Sequence, residues 1–367
     1  RRIGGRIMAV SRINEAGLDV NQYGNRNLII NGGQQCWQRA TATTTVTNSG
    51  YDTVDRFRFY VSGGGAYTST RSTDVPSGQG FSFSNKLDVT TADTSLASSD
   101  YYAFRQRIEA QNCARLAYGT SGAQTITLSF WVKSNKTGIY CISLYKFDNT
   151  NYTYVKEYTI DSANTWEKKE LTITPTAGST TLITNSGGAI DVDNGIGLQL
   201  NFQLATGSSS AGATDDTWVS AAGSATNNQV NWMDSTSNNF YITGIQLEVG
   251  DTATDFEHRS FSDEVVKCQR YFNYVRHAGT ASNAGLSNSY GNYYPQAPMR
   301  AVPTATAVGN DPLTAANFTA YPGGASVSVT INAIFETENG NITVRPYVAG
   351  NNTYTYMEGF ISLDAEL

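Results

Sequence analysis

Apolar residues recur at every second position over many short stretches of this chain. In TITLSFWVKS, Ile126, Leu128, Phe130 and Val132 fall on one face. In GIGLQLNFQL, Ile196, Leu198, Leu200, Phe202 and Leu204 do the same. Period two is the mark of a strand with one face buried. DRFRFYVSGG sets Phe57 and Phe59 against Arg56 and Arg58, and FSFSNKLDV, YTYVKEYTI and WEKKELTIT repeat the alternation. GIYCISLYKF is nearly continuous and reads as a central strand, NLIING as a short strand closing in a turn, and YYAFRQRIEA fits either a strand or a helical turn. In NFYITGIQLEV the apolar positions Phe240, Ile242, Ile245 and Leu247 lose step at Gly244. A glycine at such a slip marks a bulge.

Gly-, Ser-, Asn- and Thr-rich loops separate these stretches, and no helix longer than about three turns is visible between residues 27 and 250. The pattern predicts an all-β jelly-roll β-sandwich. After residue 250 the period changes. Ser262 is placed to cap a short helix whose first turn carries Asp263 and Glu264, with Val265, Val266, Cys268, Gln269 and Phe272 at helical spacing. This helix is expected to end before a loop, HAGTASNAGLSNSYGN. ASVSVTINA, NITVRPYV and YTYMEGFISLDAEL then read as strands, and Pro298 and Pro303 as an extended or edge segment. The expected organisation is an arm at 1–26, a jelly roll at 27–258, a linking helix at 259–274 and a smaller C-terminal β domain at 275–367.

Hydrophobic residues make up 40% and charged residues 15% of the 367, so cores can form while much of the surface is neutral and polar. A net charge of −6 argues against nucleic-acid binding, which needs a basic face. The exception is the start, where Arg1, Arg2, Arg6 and Arg12 precede the first acid, Glu15. They read either as a solvated arm or as an arm that docks on a partner. No apolar run approaches the ~18 residues of a membrane span, and the first residues lack the apolar core of a signal peptide. Cys36, Cys113, Cys141 and Cys268 form no CxxC and suggest neither a zinc site nor a disulfide framework, with Cys141 and Cys268 reading as buried thiols.

No metal or cofactor is expected. HExxH, Walker and dinucleotide fingerprints are absent from the sequence, and neither His258 nor His277 accompanies a GxSxG elbow. DVDNG at 191–195 resembles a calcium loop but fails at Gly195, and reads as an Asx-rich turn. Asp215 with Asp216, and Asp251 with Asp255, are the nearest carboxylate pairs, both in loop-like segments that suit turn formation. The aromatics are more suggestive. Trp218, Trp232, Tyr293 and Tyr294 sit among polar, loop-rich sequence, where an exposed ring could stack on the apolar face of a sugar. The competing reading is that they plug the core beneath long loops. Trp131 and Trp166, placed inside strands, read as core or sheet-face residues.

NLIINGGQQCWQRAT followed by YDTVDRFRFY, ITLSFWVKS, TWEKKELTI, GIGLQLNF and FYITGIQLEVGDTATDFEHRSFSDEVVKCQRYF resembles a family of bacteriophage tail-fibre and virion appendage proteins, common in marine and cyanobacterial phages. The resemblance covers roughly residues 25–275 and is most specific in the last motif. Gln34 or Gln35 stands where the family pattern often has an apolar residue. The resemblance implies a carbohydrate-binding-module-like jelly roll with a distal β domain. It implies a virion component, assembled in the host cytoplasm and displayed on the particle exterior. The expected partners are other virion proteins of tail or capsid and host-surface polysaccharide, in a homotrimer. No catalytic residue carries over, so an enzyme is not expected. The alternatives are a structural capsid decoration or tail adaptor, and a glycan depolymerase.

Overall fold

A computed structural model describes residues 24–40, 44–220, 223–282, 287–289, 291–295, 297–309, 318–321, 325–327, 329–336, 342–348 and 356–367. The expected anchoring residues Arg1, Arg2, Arg6 and Arg12 lie outside them. Strand formation follows the alternation. Ile126, Leu128, Phe130 and Val132 of one strand and Leu198, Leu200, Phe202 and Leu204 of another are fully buried.

Two six-stranded antiparallel sheets face each other. The strands are β1 (Thr44–Val46), β2 (Arg58–Ser62), β3 (Ala66–Ser72), β4 (Ser84–Thr91), β5 (Tyr101–Glu109) and β6 (Ile126–Ser134). They continue with β7 (Gly138–Lys146), β8 (Tyr152–Ile160), β9 (Glu167–Ile173), β10 (Ile196–Thr206), β11 (Thr217–Val219) and β12 (Asn239–Val249). The first sheet runs β1-β3-β4-β12-β6-β9 and the second β11-β8-β7-β10-β5-β2. Phe104 and Phe202 stack at 4.9 Å in the core between them. The fold is an all-β, jelly-roll-like sandwich. YYAFRQRIEA resolves as β5 followed by a 3-10 turn over Ala110–Leu116.

The slip in β12 is a bulge. The register against β6 shifts between Thr243 and Gln246, and Gly244 has φ +64°. A Cβ there would lie 2.6 Å from the Phe81 ring, so both backbone and space require glycine. NLIING is not a regular strand. It lies along the second half of β12, with Leu28 N–H donating to the Leu247 carbonyl at 2.8 Å and Ile245 N–H to the Gly32 carbonyl at 3.0 Å. Between these, the Asn27 side chain accepts from Ile29 N–H and Leu247 N–H, taking donors a ladder would use.

The helix α1 (Phe261–Gln269) is capped by Ser260 and not by Ser262. Ser260 Oγ accepts from Asp263 N–H at 3.2 Å and donates to the Asp263 carboxylate at 2.6 Å, so the N-cap hydroxyl satisfies a first-turn amide and is itself held by the acid it caps. Ser262 falls inside the first turn. The chain enters a strand directly after the helix, so HAGTAS is not a loop: it belongs to β13 (Phe272–Ser282). The C-terminal sheet adds β14 (Ser287–Ser289), β15 (Gly291–Tyr293), β16 (Thr304–Gly309), β17 (Phe318–Tyr321), β18 (Ala325–Val327), β19 (Thr330–Glu336), β20 (Ile342–Val348) and β21 (Tyr356–Asp364). β21 pairs with β13, β16 and β17 around a small core of Met299, Phe318, Ile342, Val344, Ile361 and Leu363.

The segment between the modules straps back onto the start of the described chain. Glu257 accepts from the backbone of Asn25 and Asn27, and Arg259 donates to the carbonyls of Asn27 and Ile29. Beyond it lies a charged joint. The Glu109 carboxylate, fully buried on β5, receives both Nε and Nη2 of Arg270 at 2.8 Å and the Tyr271 hydroxyl. Burial raises its pKa, but the hydrogen bonds from Arg270 and Tyr271 outweigh this and hold it below the usual value. Arg56 was expected on an outward strand face. It precedes β2, has φ +71° and is buried: it pairs with Glu366, donates to the Arg107 carbonyl and lies 3.3 Å from the centre of the Tyr271 ring.

Candidate functional site

The structure separates the four aromatics singled out in sequence. Trp218 and Trp232 are fully buried and cannot stack on a ligand. Trp218 packs beside Tyr154 and Tyr118 and donates Nε1–H to the Thr174 carbonyl at 2.9 Å. Trp232 meets Tyr67 and Phe240 and donates to the Asn239 carbonyl. Each ring fills a gap in the sandwich core and satisfies its one polar atom on nearby backbone, so the polar sequence context reflected loop residues around a core plug. Tyr293 is half-buried with its hydroxyl 2.6 Å from His277 Nδ1. Tyr294 is exposed, beside a hollow of about 330 Å³ shared with Asn273, Tyr274 and Arg276. Tyr293 lines the same hollow, so these two tyrosines border one site although one is half-buried and the other exposed.

Asp215, Asp216 and both histidines are engaged in local contacts. Asp216 accepts from the Tyr154 hydroxyl and pairs with Lys156 at 3.0 Å, while Asp215 accepts from Glu157 N–H. His258 rests between Phe81 and Phe256 with Nε2 3.1 Å from the Gln79 carbonyl. Asp193 accepts from Gly195 N–H, so DVDNG closes as an Asx turn. Among the described residues, no cluster of three His, Cys, Asp or Glu could hold a metal ion.

A different set of residues converges on the outer face of the second sheet. The register lays them in rows. Tyr145, Gln199 and Arg107 face one another across β7, β10 and β5. The next row is Ser143, Asn201, Arg105 and Arg58, and the next brings Gln203 and Tyr60 opposite Ala103. Because side chains alternate across a strand, all of these point away from the core that Leu198, Leu200 and Phe202 fill. Over them lies a groove of about 370 Å³, lined by Tyr60, Tyr101, Tyr145, Phe147, Arg105, Arg107 and Gln199, with Ser62, Ser99, Ser210 and Ser224 at its rim.

The groove is braced from below. Arg107 Nε donates to Gln199 Oε1 at 2.8 Å, Gln199 Nε2 to Asn201 Oδ1 at 2.9 Å, and Asn201 Nδ2 to Ser143 Oγ at 3.0 Å. Gln203 Nε2 donates to the Tyr101 hydroxyl at 2.7 Å. Tyr60 and Tyr101 meet edge to face at 5.1 Å, and Arg105 lies 4.9 Å from the Tyr60 ring centre. The Tyr145 hydroxyl is 2.6 Å from Ser224 Oγ and fixes the neighbouring loop. Tyr60, Tyr101, Tyr145 and Phe147 are half-buried and line the groove. Arg105 has its pKa lowered to about 10 by burial and by the like charges of Arg107 and Arg58, and remains a cation at neutral pH.

Sequence reasoning assigned these strands but missed this site. The available signal was aromatic, Arg and Gln side chains on the polar parity of DRFRFY, YYAFRQR, CISLYKF and LQLNFQL. Only the cross-strand register shows that they meet.

No protein-family model matches this chain, and no curated protein does. Three solved structures illustrate what it is similar to. The enzymatically active domain of tailspike protein 4 from bacteriophage CBA120 is 15% identical, with a TM-score of 0.28 over 61% of this chain, which spans 22% of that domain. A family 11 carbohydrate-binding module from a cellulosomal cellulase of Clostridium thermocellum is 13% identical, with a TM-score of 0.29, over 57% of this chain and 96% of the module. The tripod from the baseplate of bacteriophage Tuc2009 is 14% identical, with a TM-score of 0.23, over 94% of this chain and 91% of that one. Scores at this level assign neither fold nor function, and the functional case rests on the chemistry of the groove.

Proposed function

We propose that this chain is a phage virion appendage protein whose jelly-roll module binds a host-surface glycan in the groove over β2, β5, β10 and β7. The observation that carries the reading is the convergence of four partly exposed aromatic rings with Arg105, Arg107 and Gln199 in one concave site. Sugars present apolar C–H faces ringed by hydroxyls, and such a mixture of rings and fixed polar groups suits them. The virion setting rests on the resemblance of the motif series to phage appendage proteins. In that setting the chain assembles as a trimer on the particle exterior, contacts tail or capsid proteins, and gains avidity from several grooves at once. The residues lining the groove include no carboxylate and no histidine, so the proposal is binding without turnover.

The test is retention of the intact chain on immobilised host-surface polysaccharide, with Tyr60→Ala and Tyr145→Ala beside the parent. Loss of each ring is expected to weaken retention about tenfold, at the scale of one stacking contact. Equal retention of both variants and parent would move the site elsewhere. Release of reducing sugar from the polysaccharide would contradict binding without turnover.

A further inference from the structure

The groove carries a charge imbalance that a neutral sugar does not require. Arg39, Arg56, Arg259 and Arg270, at the joint and the strap, each pair with a carboxylate. Arg58, Arg105 and Arg107 lie together on β2 and β5, and among the described residues none of the three has a carboxylate within ion-pair distance. Arg105 is only 9% exposed, and its Nε has no hydrogen-bond partner among protein groups. Gln203 Oε1, buried on the same face, is likewise unpartnered. A buried guanidinium beside two like charges is costly unless an anion meets it. This cluster stands in a chain whose net charge is −6, so it is a local feature and not the general sign of the surface.

We infer that the groove selects an acidic saccharide, with the Arg105 and Arg107 guanidinium groups receiving the anionic substituent while Tyr60, Tyr101 and Tyr145 contact the ring. The planar guanidinium fork matches a sugar carboxylate, and a sulfate ester offers the same charge and acceptor oxygens. Tyr60 assists by holding Arg105 against its ring, which orients the cation toward the groove. This rests on the glycan-binding reading and narrows it to a substrate class.

The experiment applies the intact chain to an array of neutral, carboxylated and sulfated oligosaccharides, with each carboxylated member also present as its methyl ester. Retention on the carboxylated or sulfated arm is expected, and which arm responds identifies the source of the charge. Esterification and Arg105→Gln should each lower affinity about tenfold to a hundredfold, the scale of a charge-assisted hydrogen bond. Raising salt from 50 to 500 mM should weaken retention on the acidic arm. The ester and salt comparisons use the unaltered chain, so they decide the matter even if Arg105→Gln fails to fold. Retention of neutral sugars, or of esters equally with free acids, overturns the charge inference and leaves the glycan reading standing. Retention of no saccharide in any arm overturns both.

Discussion

Replacing Trp218 by Ala should destabilise the jelly roll without removing a glycan contact. The side chain is fully buried on β11, 5.2 Å from the Tyr154 ring centre and 6.3 Å from that of Tyr118. A large aromatic buries about 150–250 Å², which at about 25 cal/mol per Å² corresponds to roughly 4–6 kcal/mol as an upper bound. Measured truncations of this kind cost about 3–5 kcal/mol. The Thr174 carbonyl also loses its donor, but β11 is a three-residue edge strand and can close partly over the space. We therefore expect about 3–4 kcal/mol, equivalent to a drop of roughly 6–16 °C in melting temperature for a module of this size. Trp218→Phe keeps most of the ring and should cost about 1–2 kcal/mol. Urea unfolding followed by circular dichroism measures both. A loss below about 1 kcal/mol for Trp218→Ala, together with weakened glycan retention, would refute burial and restore Trp218 as a contact residue.

Glu109→Gln should loosen the joint by about 3–5 kcal/mol, because it leaves Arg270 without its buried partner. Calorimetry should show the C-terminal module melting earlier, and an unchanged profile would mean the joint is not held there. Burial lowers the pKa of His277 to about 4, from an ordinary value of 6.5. Between these values the unfolded chain binds a proton that the folded chain does not, so His277 favours the fold fully above pH 6.5 and that contribution is lost as pH falls through 4. The melting temperature of the C-terminal module should fall over this window more steeply in the parent than in His277→Gln. Parallel curves would contradict the burial of a neutral imidazole.

The sandwich was legible in sequence where one face is wholly apolar. Ile126 to Val132 and Leu198 to Leu204 declare their strands, and Gly244 declares its bulge, because burial demands strict alternation. Features that depend on distant partners were not legible. Arg56 continues the alternating pattern of DRFRFY, but Glu366 and Tyr271, more than two hundred residues away, draw it into the joint. The cap was displaced by two residues because Ser260 and Ser262 are both good caps, and it is Ser260 Oγ that accepts from a first-turn amide, that of Asp263. The sequence leaves Trp218 and Trp232 open between platform and core plug for a related reason: flanking polarity reports the loop, while burial of a ring is set by what folds over it. The groove was hidden because its residues come from β2, β5, β7 and β10, whose order in the sheet is not their order in the chain.

The most direct test of the central claim is competition. Purified intact chain, Tyr60→Ala and Tyr145→Ala would each be added to host cells before adsorption of a phage that, under the proposed function, displays this chain. The parent should occupy surface glycan and slow adsorption in proportion to its concentration, and each variant should need about ten times more protein for the same effect. If the parent leaves adsorption unchanged at saturating concentration and binds no host polysaccharide, the groove is not a receptor site and the proposed function fails.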